Sequence, residues 1–396
     1  MKVYLVGIGM GNFSTLTEKA VDVIDKADVV VGAKRMTELV AKNKKIFNSY
    51  KPNEIYDYLK NNNFEMVAVL LSGDCGFYSG AKKLIQTLKE FDVHVVCGIS
   101  SVVYFCSKLK MSWEDIKLLS VHGKNSNVIG YVRTNKKVFL LLNGKEDIKI
   151  ICEKLCYYGM GQTILYIGQR LSYPDEKIVV SRADDLNDFE FDSPVVMIIE
   201  NNNFVNNIYT AIDDDEFLRG SVPMTKSEVR TISIAKLCLE HNSVLYDIGA
   251  GTGSISVEAG LHIIDGTVFA IEKNAEAVEL IEKNKKKFAV DNIAVINGVA
   301  PSALEELPPP THIFIGGSSG NLKEIINCCI EKNSDVKIVI NAIAINTVGQ
   351  VTEFAEKNGF SLDIVCMNIS KNKRVGKYDL MIAQNPVYIF TLTKIK

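Results

Sequence analysis

Short apolar runs alternate with amphipathic segments along the whole chain, which is the pattern of strands and helices in a largely parallel sheet. The runs that predict strands in the first half form two groups, residues 3–6, 29–31, 66–71 and 93–97, then 138–142, 163–167 and 195–199. Those of the second half lie at residues 244–247, 267–271, 294–296, 312–315 and 337–341, followed by an antiparallel pair at 363–368 and 387–393. Thr15 and Glu18 predict a capping box that opens the first helix. The chain is therefore predicted to be α/β throughout, with a separate sheet for the second group of the first half.

The chain changes character at residues 201–207, where the tract NNNFVNN is mostly Asn, and three Asp follow at residues 213–215. Both tracts form turns readily and carry too little apolar surface to build a core. We therefore expect a first domain at residues 1–207 and a second at residues 208–396. The two halves share a glycine-rich first turn but differ in the order of their later elements, which indicates two unrelated folds.

The 396 residues include 45 Lys and Arg against 47 Asp and Glu, a net charge of −2. A protein that coats nucleic acid or an anionic membrane needs a basic excess, so neither partner is expected. No apolar run approaches the roughly 20 residues of a membrane span. The amino terminus lacks a signal-peptide cleavage site, which favours a cytoplasmic protein. Nine Cys without a C-x-x-C pair, and five His without an i,i+4 pair, give no reason to expect a metal site.

A glycine-rich turn follows the first apolar run of the second half, in the sequence VLYDIGAGTGS at residues 244–254. Its G-x-G-x-G spacing lets a ligand approach backbone N–H groups and a helix amino terminus, whereas a dinucleotide fingerprint places the third glycine one residue later. Asp247 precedes the turn, Glu272 ends the next run where it can hold ribose hydroxyls, and Ala300 follows the third run beside the expected adenine. This ordered set resembles class I methyltransferases, which implies S-adenosylmethionine as the ligand.

Three further stretches narrow the resemblance: PMTKSEVR at residues 223–230, FIGG at 314–317 and NP at 385–386. They are similar to the decarboxylating C15-methyltransferase family of cobalamin biosynthesis, which implies a Rossmann-like class I fold for the second domain. The donor contacts expected from the turn and the resemblance are Thr225, Asp247, Gly249, Ala250, Gly251, Thr252, Gly253, Glu272 and Ala300. Substrate contacts are expected at Gly316 and Gly317, and at Lys373 and Arg374, which belong to a basic cluster suited to a polycarboxylate.

Four motifs in the first half each follow an apolar run and so can line one edge of a sheet. They are GIGMG at residues 7–11, LSGDCGFYS at 71–79, GISS at 98–101 and SVHG at 120–123. Together they resemble the tetrapyrrole methylase family (class III methyltransferases), and within it the C5-methylating enzymes of the corrin pathway. The resemblance implies a two-subdomain fold, with Gly9 and Gly11 facing the macrocycle. It places methyl-donor contacts at Met10, Asp74, Phe77, Ser100, Ser101 and Leu142.

The first half departs from that family at the first glycine turn, where the usual G-x-G-P-G-D is replaced by GIGMGN, and at Cys75, which replaces a Pro. Asn12 therefore cannot supply the carboxylate that a catalytic role at that position would need, although the loop keeps its backbone. The cations of the first half that suit a polycarboxylate are Lys34, Arg35, Lys124 and Arg170.

The order of the two halves resembles the bifunctional C5,15-methyltransferases (decarboxylating) of the corrin pathway. This resemblance implies two S-adenosylmethionine sites, methylation of a precorrin or cobalt-precorrin at C5 and C15, and loss of the C12 acetate as carbon dioxide. Methyl transfer from a sulfonium needs alignment rather than a nucleophilic side chain, and His122 and Glu228 are the candidate bases. The expected partner is a tetrapyrrole, with no nucleic acid and no membrane, and the chain is expected to form a homo-oligomer.

Two other functions remain open from the sequence. One is an S-adenosylmethionine-dependent RNA methyltransferase, since relatives of both folds modify RNA, although a single Trp and the lack of an Arg-rich run disfavour it. The other is a corrinoid-binding protein with a degenerate donor site in the first half, which the departures at Met10, Asn12 and Cys75 would suit.

Overall fold

The computed structural model describes residues 1–40, 44–121, 126–186, 191, 193–207 and 210–395. These residues form two units. The first unit contains Met1–Ser126 and Asn135–Asn203, and the second contains Asn127–Thr134 and Phe204–Lys396. Helices alternate with the strands of the three large sheets, which confirms the α/β prediction. No helix in the described part of the chain has the length and apolar character needed to cross a membrane.

The first sheet of the first unit is parallel, in the order β3-β2-β4-β1-β5. Its elements are β1 (Lys2–Gly7), α1 (Glu18–Lys26), β2 (Val29–Gly32), α2 (Lys34–Val40), β3 (Lys45–Asn48), α3 (Pro52–Lys60), β4 (Met66–Leu71), α4 (Ala81–Thr87) and β5 (Asp92–Val96). Successive residues of β2 enter different apolar clusters, Val29 and Val31 in one and Val30 in the other. Because successive side chains of a strand point to opposite faces, the sheet is buried on both sides.

The cap of the first helix differs from the prediction. The Thr17 hydroxyl accepts a hydrogen bond from the backbone N–H of Ala20 at 3.2 Å, so Thr17 is the residue that opens α1. The predicted capping by Thr15 is wrong because Phe13–Thr15 form a short 3-10 helix of their own, which Asn12 caps.

The second sheet of the first unit is mixed, in the order β6-β7-β10-β8-β9, and confirms the separate sheet predicted for this half. The strands of this sheet are β6 (Ile116–Ser120), β7 (Lys137–Leu142), β8 (Ile164–Gln169), β9 (Lys177–Arg182) and β10 (Val195–Glu200). The helices of this stretch of sequence are α5 (Ser101–Leu109), α6 (Val128–Thr134) and α7 (Lys145–Tyr157). β6 and β7 are parallel, and the other neighbours are antiparallel.

The second unit has a seven-stranded sheet in the order β13-β12-β11-β14-β15-β19-β16. Its elements are α8 (Ser227–Leu237), β11 (Val244–Ile248), α9 (Ser254–His262), β12 (Thr267–Glu272), α10 (Ala275–Lys287), β13 (Ile293–Asn297), β14 (His312–Ile315), α11 (Leu322–Lys332), β15 (Lys337–Ala342), α12 (Ile345–Asn358), β16 (Phe360–Met367), β17 (Ser370–Val375), β18 (Tyr378–Ala383) and β19 (Val387–Lys394). β19 is antiparallel to both of its neighbours, which confirms the predicted late antiparallel pair. The chain order reverses between β11 and β14, and open α/β sheets bind their ligands at such a point.

One helix from the first half of the sequence, α6, belongs to the second unit. The Tyr131 hydroxyl donates to Asp265 Oδ1 at 2.6 Å, and Asn127 Nδ2 donates to the backbone oxygen of Ile264 at 3.2 Å. The domain boundary predicted at residue 207 placed α6 in the first domain. The hydrophobic pattern of a short helix does not show which apolar core the helix packs against.

Candidate functional site

The glycine turn of the second unit, residues 249–253, joins β11 to α9. Gly249, Gly251 and Gly253 have φ values of +73°, +57° and +75°, a region that favours glycine. A Cβ on Gly249 would lie 2.7 Å from the backbone oxygen of Gly317, and a Cβ on Gly251 would lie 2.7 Å from that of Pro223. The turn therefore packs so closely against two other segments that residues 249 and 251 have no room for a side chain.

Glu272 lies at the end of β12, beside this turn. Its Oε2 accepts from the N–H of Gly251 at 2.9 Å, and its Oε1 accepts from the N–H groups of Lys273 and Asn274, each at 2.9 Å. The carboxylate is thus fixed at the mouth of the glycine turn, as predicted. It presents an acceptor that suits a pair of ribose hydroxyls.

A donor cleft of about 300 Å³ opens between these segments. Four of the predicted residues, Gly249, Gly251, Glu272 and Ala300, line it, together with Gly316 and Gly317 that were predicted for the substrate. Ala300 belongs to the loop after β13 rather than to the strand end, and is buried. The walls of this cleft therefore come from the loops after β11, β12, β13 and β14.

An acceptor pocket of about 490 Å³ adjoins the donor cleft and shares Pro223, Gly249, Gly251, Gly316, Gly317 and Ser318 with it. Thr225 and Ala250, predicted as donor contacts, line this pocket and not the donor cleft. The remaining walls include Lys226, Asn341, Thr347, Gln384 and Asn385. Two ligands can thus meet across the shared glycines, which is the arrangement that a transfer reaction requires.

Three predicted donor contacts of the second unit, Asp247, Thr252 and Gly253, line neither cavity. Asp247 and Thr252 are fully buried. Ser256 on α9 donates to Asp247 Oδ2 at 2.5 Å, whereas Asp247 Oδ1 has no partner among the described residues. Burial raises the pKa of Asp247 to about 7, against a smaller lowering by Ser256. The prediction that these three residues contact the methyl donor directly is therefore corrected. They are buried within or beside the glycine turn and do not face the cleft.

Arg230 fastens the segment that covers the glycine turn. Its guanidinium is fully buried and donates from Nε to Glu258 Oε2 at 2.5 Å and from Nη1 to the backbone oxygen of Thr225 at 2.7 Å. Nη1 also lies 3.3 Å from Asp214 Oδ1, and Nη2 donates to the backbone oxygen of Ile212. Arg230 thereby links two segments that precede α8, one containing Ile212 and Asp214 and the other containing Thr225, to Glu258 on α9. Arg230 belongs to the stretch PMTKSEVR, and nothing in that pattern alone predicts its role as a buried anchor.

Glu228, a candidate base, lines neither cavity. Its Oε1 lies 2.6 Å from the Lys371 ammonium. Burial raises the pKa of Glu228, but the hydrogen bond and charge of Lys371 outweigh it, so that the pKa lies below its ordinary value. A carboxylate paired in this way is a weak base. The structure therefore argues against the predicted role of Glu228.

Lys373 and Arg374 are exposed and lie on β17, which pairs with β18 in a separate two-stranded sheet. Neither residue lines the donor cleft or the acceptor pocket. The prediction that they bind substrate in the pocket is corrected, because residues 370–383 form a hairpin and not a loop that folds over the cavities.

Three loops of the first unit meet at the carboxyl edge of its parallel sheet, after β1, β4 and β5. Gly9 and Gly73 exchange backbone hydrogen bonds of 3.1 and 2.7 Å. A Cβ on Gly98 would lie 2.3 Å from the backbone oxygen of Gly73 and 2.6 Å from that of Gly7. Asp74 accepts from the N–H of Gly98 at 3.0 Å and from that of Gly76 at 2.8 Å. Three of the four predicted motifs are thus in contact at this edge, whereas the motif at residues 120–123 follows β6 of the other sheet and is described only to residue 121.

The other predicted donor contacts of the first unit lie around these loops. Ser100 is buried and caps α5, of which Ser101 is the first residue. Met10 and Phe77 pack against the apolar cluster that contains Phe139. Leu142 is buried at the end of β7. Their use as donor contacts stays a prediction.

Both departures from the family pattern have structural explanations. Asn12 Nδ2 donates to the backbone oxygen of Ser172 at 3.0 Å, and its Oδ1 accepts from the N–H of Ser14 at 3.0 Å, so its amide fixes the loop. Cys75 is buried in the apolar core of the parallel sheet, and burial raises the pKa of its thiol to about 12.

An arginine cleft of about 580 Å³ lies beside the first glycine turn, lined by Gly11, Arg35, Arg170 and Tyr173 among others. Arg35 Nη1 lies 3.4 Å from the Tyr173 hydroxyl, and the Arg170 guanidinium stacks over the Tyr173 ring at 5.0 Å. Gly9 is buried against Thr15 and does not line this cleft, so its predicted contact with the macrocycle is corrected. His122 and Lys124 lie outside the described residues.

The donor cleft fits S-adenosylmethionine. Gly317 lines the cleft and a Cβ there would meet no protein atom within 4 Å, so this glycine leaves space for a ligand. The strand-end carboxylate of Glu272 can accept hydroxyl hydrogens. When bound, S-adenosylmethionine supplies an electrophilic methyl group on a sulfonium. With the turn at the point where the strand order reverses, the second unit is a class I methyltransferase fold, and the first unit is a two-subdomain fold with its motifs on one sheet edge.

Comparisons with known proteins agree with both halves. The family profile described as tetrapyrrole (corrin/porphyrin) methylases matches residues 2–187, and that of the precorrin methyltransferase domain matches residues 216–394. The "Probable cobalt-precorrin-6B C(15)-methyltransferase (decarboxylating)" of Pyrobaculum calidifontis is 37% identical over 183 residues, which are 46% of this chain and 94% of that protein. The "Probable cobalt-precorrin-7 C(5)-methyltransferase" of Methanocaldococcus jannaschii is 32% identical over 209 residues, 50% of this chain and 97% of that protein.

A solved structure titled precorrin-6Y C5,15-methyltransferase, from Geobacter metallireducens, is 40% identical, covers 47% of this chain and 96% of that chain, and has a TM-score of 0.45. The chain belongs to the corrin-pathway methyltransferases, through a tetrapyrrole methylase domain and a precorrin methyltransferase domain. It is an enzyme of the methyltransferase class, and its methyl donor is S-adenosylmethionine.

We predict that the wild-type chain becomes less stable as pH rises through about 7, and that Asp247→Asn abolishes this pH dependence. The pKa is about 7 in the folded chain and about 3.9 when unfolded. Between these values the folded chain holds a proton that the unfolded chain has released, so the stabilising contribution is present below about pH 4 and lost as pH rises through about 7. Denaturant unfolding at about pH 4 and about pH 8 should show a larger fall in the wild type than in the variant. The same pH dependence in both proteins would contradict the assignment.

Arg230→Leu is predicted to lower the free energy of unfolding by about 3–5 kcal/mol, because it leaves Glu258 buried without its partner. The matched control is Arg219→Leu, which removes an exposed pair with Asp215 and should cost less than about 1 kcal/mol. Urea denaturation measures both. Equal losses in the two variants would show that the buried network is not the stabilising element.

Proposed function

We propose that each unit binds its own S-adenosylmethionine, that the first methylates C5 and the second methylates C15 of a corrin-pathway macrocycle, and that the second also releases the C12 acetate as carbon dioxide. The observation that carries the proposal is that each unit has its own set of glycine loops at the carboxyl edge of a parallel sheet. The names of the relatives, a C15-methyltransferase (decarboxylating) and a C5-methyltransferase, support the two positions.

The donor cleft of the second unit supports this reading through its polar groups. Glu272 would accept the ribose hydroxyls, and the amino-acid tail would lie against the backbone of the glycine turn, where no side chain stands in the way. The acceptor pocket adjoins the turn and shares its glycines. Since the walls hold both ligands on the same backbone, the chain supplies alignment and excludes water, which are the main requirements of an in-line transfer.

The arginine cleft of the first unit supports a polycarboxylate substrate. Two guanidinium groups, of Arg35 and Arg170, line one cavity beside Gly11. Guanidinium groups bind carboxylates in a fork geometry and keep their charge at any physiological pH. Arg170 also pairs with Asp175 at 2.5 Å. Lys34 does not line this cleft, so the two arginines are the better candidates.

Self-association stays a prediction. The strands of the β17–β18 hairpin are exposed at every position except Lys371, and their apolar side chains include Tyr378 at 68% and Met381 at 65% exposure. Apolar side chains grouped on an exposed strand pair are typical of a surface that a further protein covers. They support the expected homo-oligomer.

Two binding sites per chain are predicted for S-adenosylhomocysteine. Glu272→Gln should weaken one of them by about tenfold or more, since a charged acceptor of two hydroxyls is replaced by a neutral amide, and should leave the other unchanged. Glu279→Gln, on the exposed face of α10, is the matched control. Isothermal titration calorimetry of the full chain measures stoichiometry and affinity. A single site in the wild type would refute the two-donor proposal.

The full chain is predicted to add two methyl groups to the macrocycle and to remove one carbon dioxide. Glu272→Ala should retain the C5 methylation and lose both C15 methylation and carbon dioxide release, because only the second donor site is damaged. Mass spectrometry of products formed from the metal-free and the cobalt-bearing precorrin measures this and shows which form is used. Methylation of RNA, with neither macrocycle changed, would instead favour the alternative function.

A further inference from the structure

The acceptor pocket contains little charge for a cavity proposed to receive a polycarboxylate. Among the described residues that line it, Lys226 is the only charged one. Its ammonium lies 4.0 Å from Asp214 Oδ2, so its charge is partly compensated. The other polar side chains that line the pocket are hydroxyls and amides, namely Thr225, Ser318, Asn341, Thr347, Gln384 and Asn385.

Asn341 is the amide of this group that comes from a core strand. It lies near the carboxyl end of β15, next to the antiparallel strand β19, where it pairs with Ile389. Gln384 and Asn385 directly precede β19. Because the start of β19 lies beside the end of β15, these three amides are brought to the same side of the pocket.

The Asn341 side chain is held in place by Ser233. Asn341 Nδ2 donates to Ser233 Oγ at 2.9 Å. Ser233 is fully buried on α8, and its hydroxyl donates to the backbone oxygen of Val229 at 2.8 Å. This chain of hydrogen bonds fixes the amide and uses one of its two N–H groups. Asn341 Oδ1 also lies 3.1 Å from this hydroxyl. With the hydroxyl proton donated to Val229, the second N–H of the amide is the group left for a ligand in the pocket.

We propose that Asn341 binds the acetate carboxylate that the second unit removes, and that Ser233 is the positioning residue for this amide. The proposal rests on the function given above, and it assigns to the same site a residue for the decarboxylation step. A directional N–H donor on a rigid strand would set the angle between the carboxylate and the macrocycle.

A neutral donor suits this step better than a cation. In the reaction the bond between the acetate methylene and its carboxyl carbon breaks, carbon dioxide leaves, and the electron pair passes into the conjugated macrocycle, which C15 methylation has made electron-poor. The methylene then takes up a proton from water and becomes a methyl group. The negative charge therefore leaves the carboxyl group in the transition state. A close ammonium or guanidinium would stabilise the starting carboxylate more than the transition state and so slow the step.

The test is Asn341→Ala, with Asn346→Ala as the matched control. Asn346 is an exposed amide on α12 that does not line the pocket. Full-length proteins are incubated with S-adenosylmethionine and precorrin, and mass spectrometry gives the ratio of C15-methylated product that has lost carbon dioxide to that which retains the carboxyl group. We expect Asn341→Ala to lower this ratio by about tenfold, because the carboxylate loses the donor that sets its angle to the macrocycle. Asn346→Ala should match the wild type.

Ser233→Ala gives an independent readout. It keeps the Asn341 amide but removes the hydroxyl that supports it, so the ratio should fall by a smaller factor while the affinity for S-adenosylhomocysteine stays unchanged. An Asn341→Ala protein that binds S-adenosylhomocysteine normally and decarboxylates as the wild type does would overturn the proposal. A wild type that forms no C15-methylated product would instead overturn the proposed function on which it rests.

Discussion

Close approach of backbone to backbone is the constraint on which both candidate sites depend. In the second unit the glycine turn is held between Pro223 and Gly317 at distances that would place a Cβ 2.7 Å from a backbone oxygen. In the first unit Gly98 is packed against Gly7 and Gly73 in the same way. Two unrelated folds thus share one feature: side chains are absent where loops from neighbouring parallel strands converge. The loop N–H groups pair within the protein, with Glu272 in the second unit and with Asp74 in the first among their acceptors.

The glycine turn of the second unit has this geometry only while the segment above it stays in place, and Arg230 supplies that restraint. Its guanidinium reaches α9 through Glu258 and the covering segment through the carbonyl oxygens of Ile212 and Thr225. A buried ion pair is a poor source of net stability, because desolvation offsets most of its attraction. Here the ion pair fixes geometry more than it adds stability. It holds Pro223 and Thr225 in one position, and these residues line the acceptor pocket.

The sequence was most informative where a local pattern has one structural solution. Glycine turns after apolar runs predicted that the loops of Gly73 and Gly98 meet, and the carboxylate of Glu272 lies where its strand end placed it. Features that depend on distant packing were not predictable. Nothing local shows that Asp247 turns toward Ser256, or that α6 joins the second unit. Lys373 suggested substrate binding by its charge alone, and its position on an exposed hairpin is fixed by pairing with β18.

A crystal structure of the full chain with S-adenosylhomocysteine would show most directly whether the donor cleft of the second unit holds the methyl donor. We expect electron density for the nucleoside in the donor cleft, with the ribose hydroxyls on the Glu272 carboxylate and the adenine beside Ala300. Density for the nucleoside in the acceptor pocket, away from Glu272, would contradict it.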